Sequence, residues 1–298
     1  MMRPDTLGAA MDRAGTVLAA AGIPSARLEA RLMLAHVLDT GNETVVGYPE
    51  RPLTARQRTA FERLVGRRCN REPLAYLVGE REFWSLPIIV DRHTLVPRPD
   101  SESVVETALA RIDGSRPDLR VLDLGTGSGC LLLALLSELP RASGLGVDCS
   151  PGALRVAQRN AFAVGLADRA RFVCADWTTA LDGTYEVVVA NPPYVTAGDI
   201  AALAPEIARY EPRMALDGGD DGLGAYRAII SDLPRVVAPG GVVILEVGDG
   251  QAAAVAAMLR MAGFQRLEIN NDLSGISRCV SGFLGQNGEQ KKRNYIRF

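Results

Sequence analysis

The chain has 298 residues, 47% of them hydrophobic and 23% charged, the balance of a globular protein with one large domain and a smaller one, or with two domains. A formal net charge of -2 gives no global attraction to nucleic acid or to an anionic membrane, which disfavours a nonspecific DNA binder and a stable nucleic-acid partner. The amino end carries acids and no apolar leader, and the longest apolar run, CLLLALL at 130–136, is too short to span a bilayer, so a cytoplasmic protein without a membrane partner is expected.

From Met11 to Leu38 apolar residues recur at helical spacing (Val17, Leu18, Leu28, Leu32, Leu34, Val37), interrupted at Gly22 to Pro24, which predicts two helices joined by a turn. Thr54 is a plausible N-cap for a further helix over Ala55 to Cys69, with Phe61, Leu64 and Val65 on its buried side. Residues 1–79 thus form a small helical domain. Between Arg51 and Arg71 it carries seven arginines against the single Glu62, either a solvated helix face or a surface for a negatively charged partner. Residues 80–98 hold two short extended runs, Glu82 to Leu86 and Ile88 to Val90, punctuated by Pro87 and Pro97, and read as a β-hairpin connector.

The rhythm then changes. Helix is expected over Asp100 to Ile112, strand over Arg120 to Asp123, helix over Gly129 to Leu139, strand over Gly144 to Asp148 and helix over Pro151 to Val164. Strands at Ala170 to Ala175 and Tyr185 to Ala190 follow, then helix Gly224 to Val237, strand Gly241 to Val247 and helix Gln251 to Ala262. Such alternation calls for an α/β fold with a doubly wound, mainly parallel sheet over residues 99–284. The last two runs, 264–270 and 277–283, have no helix between them and must pair antiparallel at the sheet edge. The basic tail, residues 285–298, is expected to be loosely ordered.

Three strand ends carry ligand chemistry. In VLDLGTGSG (121–129) the strand runs into Gly125, Thr126, Gly127, Ser128 and Gly129, whose glycines permit a tight turn and close approach of a ligand. The next strand ends in Asp148, where a carboxylate can accept from both hydroxyls of a ribose. A dinucleotide oxidoreductase and an S-adenosylmethionine methyltransferase compete here. The spacing GxGxG favours the methyltransferase, because the dinucleotide fingerprint needs its third glycine where Cys130 stands. The following strand ends in Asp176 and Trp177, a carboxylate and an aromatic face suited to adenine, although Trp177 alone could equally fill core.

The fourth strand ends in VANPPYV (189–195). Proline cannot sit mid-sheet, so the β-branched run must stop at Asn191, and Pro192 and Pro193 stiffen the turn that follows. By itself this is a strand-ending loop. With an S-adenosylmethionine site beside it, the Asn191 side-chain oxygen and the Pro192 carbonyl become two acceptors for a planar NH2 group, and Tyr194 a flat surface for it. No metal is required for such a transfer. The five cysteines (Cys69, Cys130, Cys149, Cys174, Cys279) form no CxxC pair and read as reduced and mostly buried, and the two histidines, His36 and His93, read as packing or surface residues.

The motifs REFWSL (81–86), LVPRPDSE (95–102), VLDLGTGSG, the Asp148 strand end, ADW (175–177), VANPPYV, YEPRMALDGGDDGL (210–223) and LEVG (245–248) resemble the HemK/PrmC peptide-chain release factor glutamine methyltransferases. They run in the family's order across nearly the whole chain. NPPY is shared with DNA and RNA adenine methyltransferases, whereas REFWSL, PRPDSE and EPRMAL are more specific. The resemblance implies a class I methyltransferase fold with a small helical, partner-binding domain, and methylation of the side-chain nitrogen of the glutamine in the Gly-Gly-Gln motif of class 1 release factors. S-adenosyl-L-methionine would be the donor and S-adenosyl-L-homocysteine the product. By position, Gly125 to Gly129, Asp148, Trp177 and Asn191 would contact the cofactor, Asn191 to Tyr194 would hold the glutamine, and Arg98 and Pro99 would lie beside the site. The alternatives are an adenine methyltransferase acting on DNA or RNA, and a cofactor-binding adaptor without catalysis.

Overall fold

The computed structural model describes residues 6–112, 118–272 and 275–285, so the basic tail expected after Gly285 lies outside the described residues. The chain divides into two compact units. One comprises the chain up to Arg81 with Val90–Arg92 and Ala202–Glu211; the other comprises the rest. No helix among the described residues is long and apolar enough to cross a membrane.

In the first unit, α1 (Leu7–Ala20), α2 (Ala26–Leu38), α3 (Asn42–Gly47), α4 (Ala55–Cys69) and α5 (Leu74–Val78) enclose a core of Leu7, Leu18, Met33, Leu34, Phe61 and Leu64. α4 begins where the sequence says it should. Thr54 accepts from the Gln57 backbone N–H while the Gln57 side chain accepts from the Thr54 N–H, a complete capping box. The apolar stripe read over α1 and α2 is partly misassigned: Val17 and Leu28 are 50% and 44% exposed, and the buried face runs instead through Ala10, Ala14, Ala30 and Met33. Small residues let the two helices approach closely.

The arginine-rich α4 is not a uniformly solvated face. Arg68 is buried and its guanidinium donates to Glu29 Oε2 at 2.5 Å and to Glu206 Oε1 at 2.9 Å, while Arg71 also reaches Glu206. The Tyr210 hydroxyl donates to the Asn70 carbonyl at 2.7 Å. These contacts tie the later helix Pro205–Tyr210 into this unit, an excursion that a reading along the chain does not contain.

β1 (Glu80–Phe83) and β2 (Leu86–Ile89) form the expected two-stranded hairpin. After a 3-10 turn at Pro99–Ser101 come α6 (Glu102–Arg111), β3 (Arg120–Leu124), α7 (Cys130–Glu138), β4 (Ser143–Asp148), α8 (Pro151–Ala163), β5 (Ala170–Cys174) and β6 (Tyr185–Ala190). α9 is the Pro205–Tyr210 helix, followed by α10 (Gly224–Val236), β7 (Val237–Glu246), α11 (Ala252–Met261), β8 (Phe264–Asn271) and β9 (Ser277–Leu284).

The sheet order is β5-β4-β3-β6-β7-β9-β8. β3 to β7 are parallel and β9 alone is antiparallel, pairing Ile244 with Ser281 on one side and Ile269 with Val280 on the other. The order reverses between β3 and β6, and ligands of open parallel sheets bind outside the carboxyl ends of the strands at such a switch point. Leu122, Val188 and Val243 in the central strands and Tyr226, Ile229, Leu233, Val255 and Leu259 in α10 and α11 are buried in one cluster. The expectation that the cysteines are mostly buried fails: only Cys279 is, whereas Cys149 and Cys174 are exposed because they stand at the open ends of β4 and β5.

Candidate active site

A cavity of about 530 Å³ opens at the carboxyl ends of β3, β4, β5 and β6, within the range typical of small-ligand sites. The turn after β3 supplies Gly125, Thr126, Gly127 and Ser128 to its wall. Gly125 has φ 74° and Gly127 φ 55°, left-handed conformations that cost an L side chain roughly 1–2 kcal/mol. Gly125 meets a second demand: a Cβ there would lie 3.3 Å from the Trp177 ring. Gly129 does not line the cavity. It caps α7 at φ 82°, where a Cβ would lie 3.3 Å from Ala157 of α8 and 3.4 Å from Leu133 of α7, so its role is the close fit of those two helices.

Two carboxyls brace the turn. Thr126 Oγ1 donates to Asp123 Oδ2 at 2.6 Å, and complete burial pushes Asp123 up to about 7. Asp148 Oδ2 accepts from the Gly127 N–H at 2.9 Å and Oδ1 accepts from the Ser150 N–H at 2.8 Å. Burial raises the Asp148 pKa, and these two N–H groups pull it back. Each carboxylate oxygen retains a lone pair, so the group can still accept from a diol in the cavity. Trp177, at φ 49° in the left-handed region, presents its ring to the same space. A strained non-glycine residue at a pocket wall is a common mark of function.

Asn191 and Pro193 line the cavity; Pro192 and Tyr194 do not. Asn191 Nδ2 donates to Ser101 Oγ at 3.1 Å, which leaves Oδ1 as the free end of its amide. The turn after β6 is clamped from behind. Val195 N–H donates to Leu216 O at 3.0 Å, Gly218 N–H donates to Val195 O at 2.8 Å, and Gln251 Nε2 donates to Tyr194 O at 3.1 Å. The Tyr194 hydroxyl lies 3.5 Å from Glu246 Oε1, and burial, then the Glu246 charge, pushes Tyr194 up to about 12. Glu246 is 1% exposed and is itself pushed up to about 7, first by burial.

The sequence reading missed several of these residues. His93, expected to be a packing or surface residue, lines the cavity together with Thr94 and Arg98, and its ring packs over Gly152, where a Cβ would lie 2.5 Å from it. Ser101 and Glu246 stood inside PRPDSE and LEVG without a role. The available signal was Glu246, a charged residue ending the otherwise apolar run VVILEV; Ser101, among Asp100, Glu102 and Ser103, gave none.

The arrangement suits a purine nucleoside: it offers an acidic strand end, an aromatic face and an amide acceptor, while the N–H groups of Gly125 and Thr126 donate to Val147 O, that of Gly127 to Asp148 and that of Gly129 to Thr126 O, so all four are engaged within the protein. Comparisons agree. A family model described as the PrmC N-terminal domain matches residues 9–79, and one described as the methyltransferase small domain matches residues 106–219. The chain is 46% identical over 274 residues to a release factor glutamine methyltransferase of Rhodospirillum rubrum, covering 92% of this chain and 84% of that one. It is 40% identical over 280 residues to the protein of that description from Geobacter sulfurreducens, covering 94% and 97%. Among solved structures, a methyltransferase from Pyrococcus furiosus superposes with a TM-score of 0.51 at 17% identity, covering 67% of this chain and 89% of that one, a likeness of fold alone.

Proposed function

The chain belongs to the release factor glutamine methyltransferases, and on that premise we propose that its cavity holds S-adenosylmethionine while the turn after β6 presents a glutamine amide to it. The enzyme is an S-adenosylmethionine-dependent protein-(glutamine-N5) methyltransferase, and its substrate is the glutamine of the Gly-Gly-Gln motif in class 1 release factors. The observation that carries the site assignment is the convergence of Asp148, Trp177 and Asn191, from three separate strand ends, on one cavity beside a glycine turn.

Asp148 would accept from the ribose hydroxyls, Trp177 would cover the adenine, and Gly125 and Gly127 would let the backbone close on the cofactor without side chains in the way. When bound, S-adenosylmethionine supplies a methyl already activated by its sulfonium, so the protein's part is placement and charge. Asn191 Oδ1 and the Pro192 carbonyl would accept the two N–H bonds of the substrate amide, hold its nitrogen in line and stabilise the positive charge that grows on it. Pro192 and Pro193 fix the backbone that carries both acceptors. Because Tyr194 is drawn back toward Glu246, its ring would act as a wall for the planar group and its hydroxyl would stay protonated.

The test is incubation of a class 1 release factor with enzyme and S-adenosylmethionine, followed by mass spectrometry. One methyl on the motif glutamine, absent from a Gln→Ala substrate, is the expected result. Label entering DNA or RNA but not the release factor would transfer the assignment to an adenine methyltransferase, since NPPY serves any planar NH2. Unchanged transfer by Asn191→Ala would sink the role given to that side chain.

A further inference from the structure

Pro192 and Pro193 carry no N–H, so two consecutive positions of the turn after β6 have no donor with which to tie themselves down. The turn has to be held from outside, through its carbonyls. Past it, Val195 is fastened to Leu216 and Gly218. Between the prolines and Val195 lies Tyr194, whose carbonyl accepts from Gln251 Nε2 at 3.1 Å; the same Nε2 donates to Gly222 O at 3.2 Å. Gln251 Oε1 accepts from the Gly248 N–H at 3.0 Å and lies 3.5 Å from the Tyr226 hydroxyl. One amide therefore joins the turn after β6, the loop before α10 and the turn after β7.

These partners choose the orientation of the amide. Turned over, Gln251 would set Oε1 against two carbonyls and its NH2 group against the Gly248 N–H, so none of the three bonds would survive. The backbone beneath it is equally determined. Gln251 is the N-cap residue of α11; its N–H donates to Gly248 O at 3.1 Å and its carbonyl accepts from the Val255 N–H at 3.1 Å. Val255 and Leu259 anchor that helix in the sheet core. Glycine at position 248 makes the approach possible, because a Cβ there would lie 2.9 Å from both Gln251 Oε1 and the Tyr194 ring. Gln251 itself does not line the cavity, so its effect there passes through the turn.

Resting on the reading of the site above, we propose that Gln251 is a positioning residue for the methyl transfer: by holding the Tyr194 carbonyl it fixes where Asn191 Oδ1 and the Pro192 carbonyl, the two acceptors for the substrate amide, stand relative to the cofactor. The two prolines make the link stiff. With φ locked at both, a displacement of Tyr194 is passed back to Pro192 and Asn191 instead of being absorbed by backbone rotation.

The deciding variant is Gln251→Met, which fills the same space and can neither donate to Tyr194 O nor accept from Gly248. In the full-length protein without substrate, the carbonyl carbon resonance of Tyr194 should move on this substitution, because the carbonyl loses its donor. Single-turnover methylation of a class 1 release factor, at saturating substrate and cofactor, should fall roughly 10-fold through misplacement of the amide, while cofactor Kd by calorimetry changes less than about twofold. Gln251→Glu keeps the acceptor for Gly248 and loses both donors, so it should show the same fall, which separates donation to the turn from packing. Arg169→Ala controls for stability. It too removes hydrogen bonds to three carbonyls, Leu136 O at 2.8 Å and Leu139 O and Ala142 O at 2.9 Å, but near the amino ends of β4 and β5. It should lower the melting temperature and leave both the Tyr194 resonance and the methylation rate unchanged. Wild-type methylation by Gln251→Met or Gln251→Glu, an unmoved Tyr194 resonance, or an equal loss of rate in Arg169→Ala overturns the proposal. A wild-type enzyme that leaves release factor unmethylated would instead overturn the substrate assignment, and the Tyr194 resonance would still decide whether Gln251 holds the turn.

Discussion

Gly222→Ala is expected to uncouple fold stability from cofactor binding. Gly222 has φ 70°, and a Cβ there would stand 2.4 Å from the Tyr194 carbonyl oxygen and 2.6 Å from Gln251 Nε2. Since such contacts do not occur below 3.0 Å, the turn carrying Asn191 to Tyr194 must retreat by 3.0 less 2.4, or 0.6 Å, at the least. The left-handed backbone costs roughly 1 kcal/mol for alanine. Loss of the two hydrogen bonds Gln251 Nε2 donates, to Tyr194 O at 3.1 Å and Gly222 O at 3.2 Å, adds about 1 kcal/mol each. A total of about 3 kcal/mol should lower the melting temperature by roughly 6–12 °C. A substrate amide misplaced by most of an ångström should lose on the order of 10- to 100-fold in kcat. Cofactor affinity, which the proposal above assigns to Asp148 and Trp177, should change less than about twofold. Gly250→Ala shares the left-handed φ, at 77°, and meets nothing within 4 Å, so it isolates the backbone contribution. Thermal denaturation, calorimetric cofactor titration and single-turnover methylation read the three quantities. A Gly222→Ala enzyme with wild-type kcat would refute the claim that this glycine holds the substrate turn.

Three further outcomes follow from the geometry. Trp177→Ala should weaken S-adenosylmethionine binding by roughly 1–3 kcal/mol, the range for base–aromatic stacking, and an unchanged Kd by calorimetry would return Trp177 to core filling. Arg68→Ala should destabilise the protein by roughly 2–4 kcal/mol in urea unfolding, because it strands Glu29 and Glu206, whose side chains are only 13% and 16% exposed; a change below about 0.5 kcal/mol would refute this. Asp123→Asn should be relatively more stabilising as pH rises. The folded-state pKa of Asp123 is raised from 3.8 to about 7, so its contribution is fully present below about 4 and is lost as pH climbs through 7, by on the order of 4 kcal/mol. Urea midpoints of variant and wild type that stay parallel from about pH 4 to about pH 8 would contradict it.

What was legible in the sequence follows from how locally each feature is determined. α4 and β6 occupy the residues predicted for them, Ala55–Cys69 and Tyr185–Ala190, because a capping box and a β-branched run bounded by proline are statements about neighbouring residues. β7 begins at Val237, four residues before the predicted Gly241, since Ala238-Pro239-Gly240 carries turn residues that tertiary pairing of Val237 with Tyr185 overrides. α3, α5 and α9 are each six residues or fewer and complete too little of a helical period to be seen. That Asp148, Trp177 and Asn191 share one cavity was legible because each stands at a strand end, where the fold class says ligands go. Ser101 and Glu246 escaped because their partners are distant in sequence, Asn191 for Ser101 and Tyr194 for Glu246. Gly218 and Gly222 stood inside YEPRMALDGGDDGL without a role for a similar reason: only the fold presses them against the Tyr194 backbone.

The turn after β6 is therefore held at three depths. Pro192 and Pro193 restrict it locally, Gly218 and Gly222 press on its backbone while Gln251 donates to it, and Ser101 accepts from the Asn191 amide. Only the first is written in NPPY, which explains why that motif by itself is compatible with glutamine or adenine. The second and third come from LDGGDDGL, Gln251 and PRPDSE, so those stretches serve placement of the turn after β6 as much as they mark a family. Both buried acids at this edge, Asp123 and Glu246, sit where burial raises their pKa to about 7 and so cost stability near neutral pH. An apolar residue at either position would pack without that penalty. The two acids stand on the two strands that flank β6, where Asp123 accepts from Thr126 in the turn after β3 and Glu246 Oε1 lies 3.5 Å from the Tyr194 hydroxyl in the turn after β6.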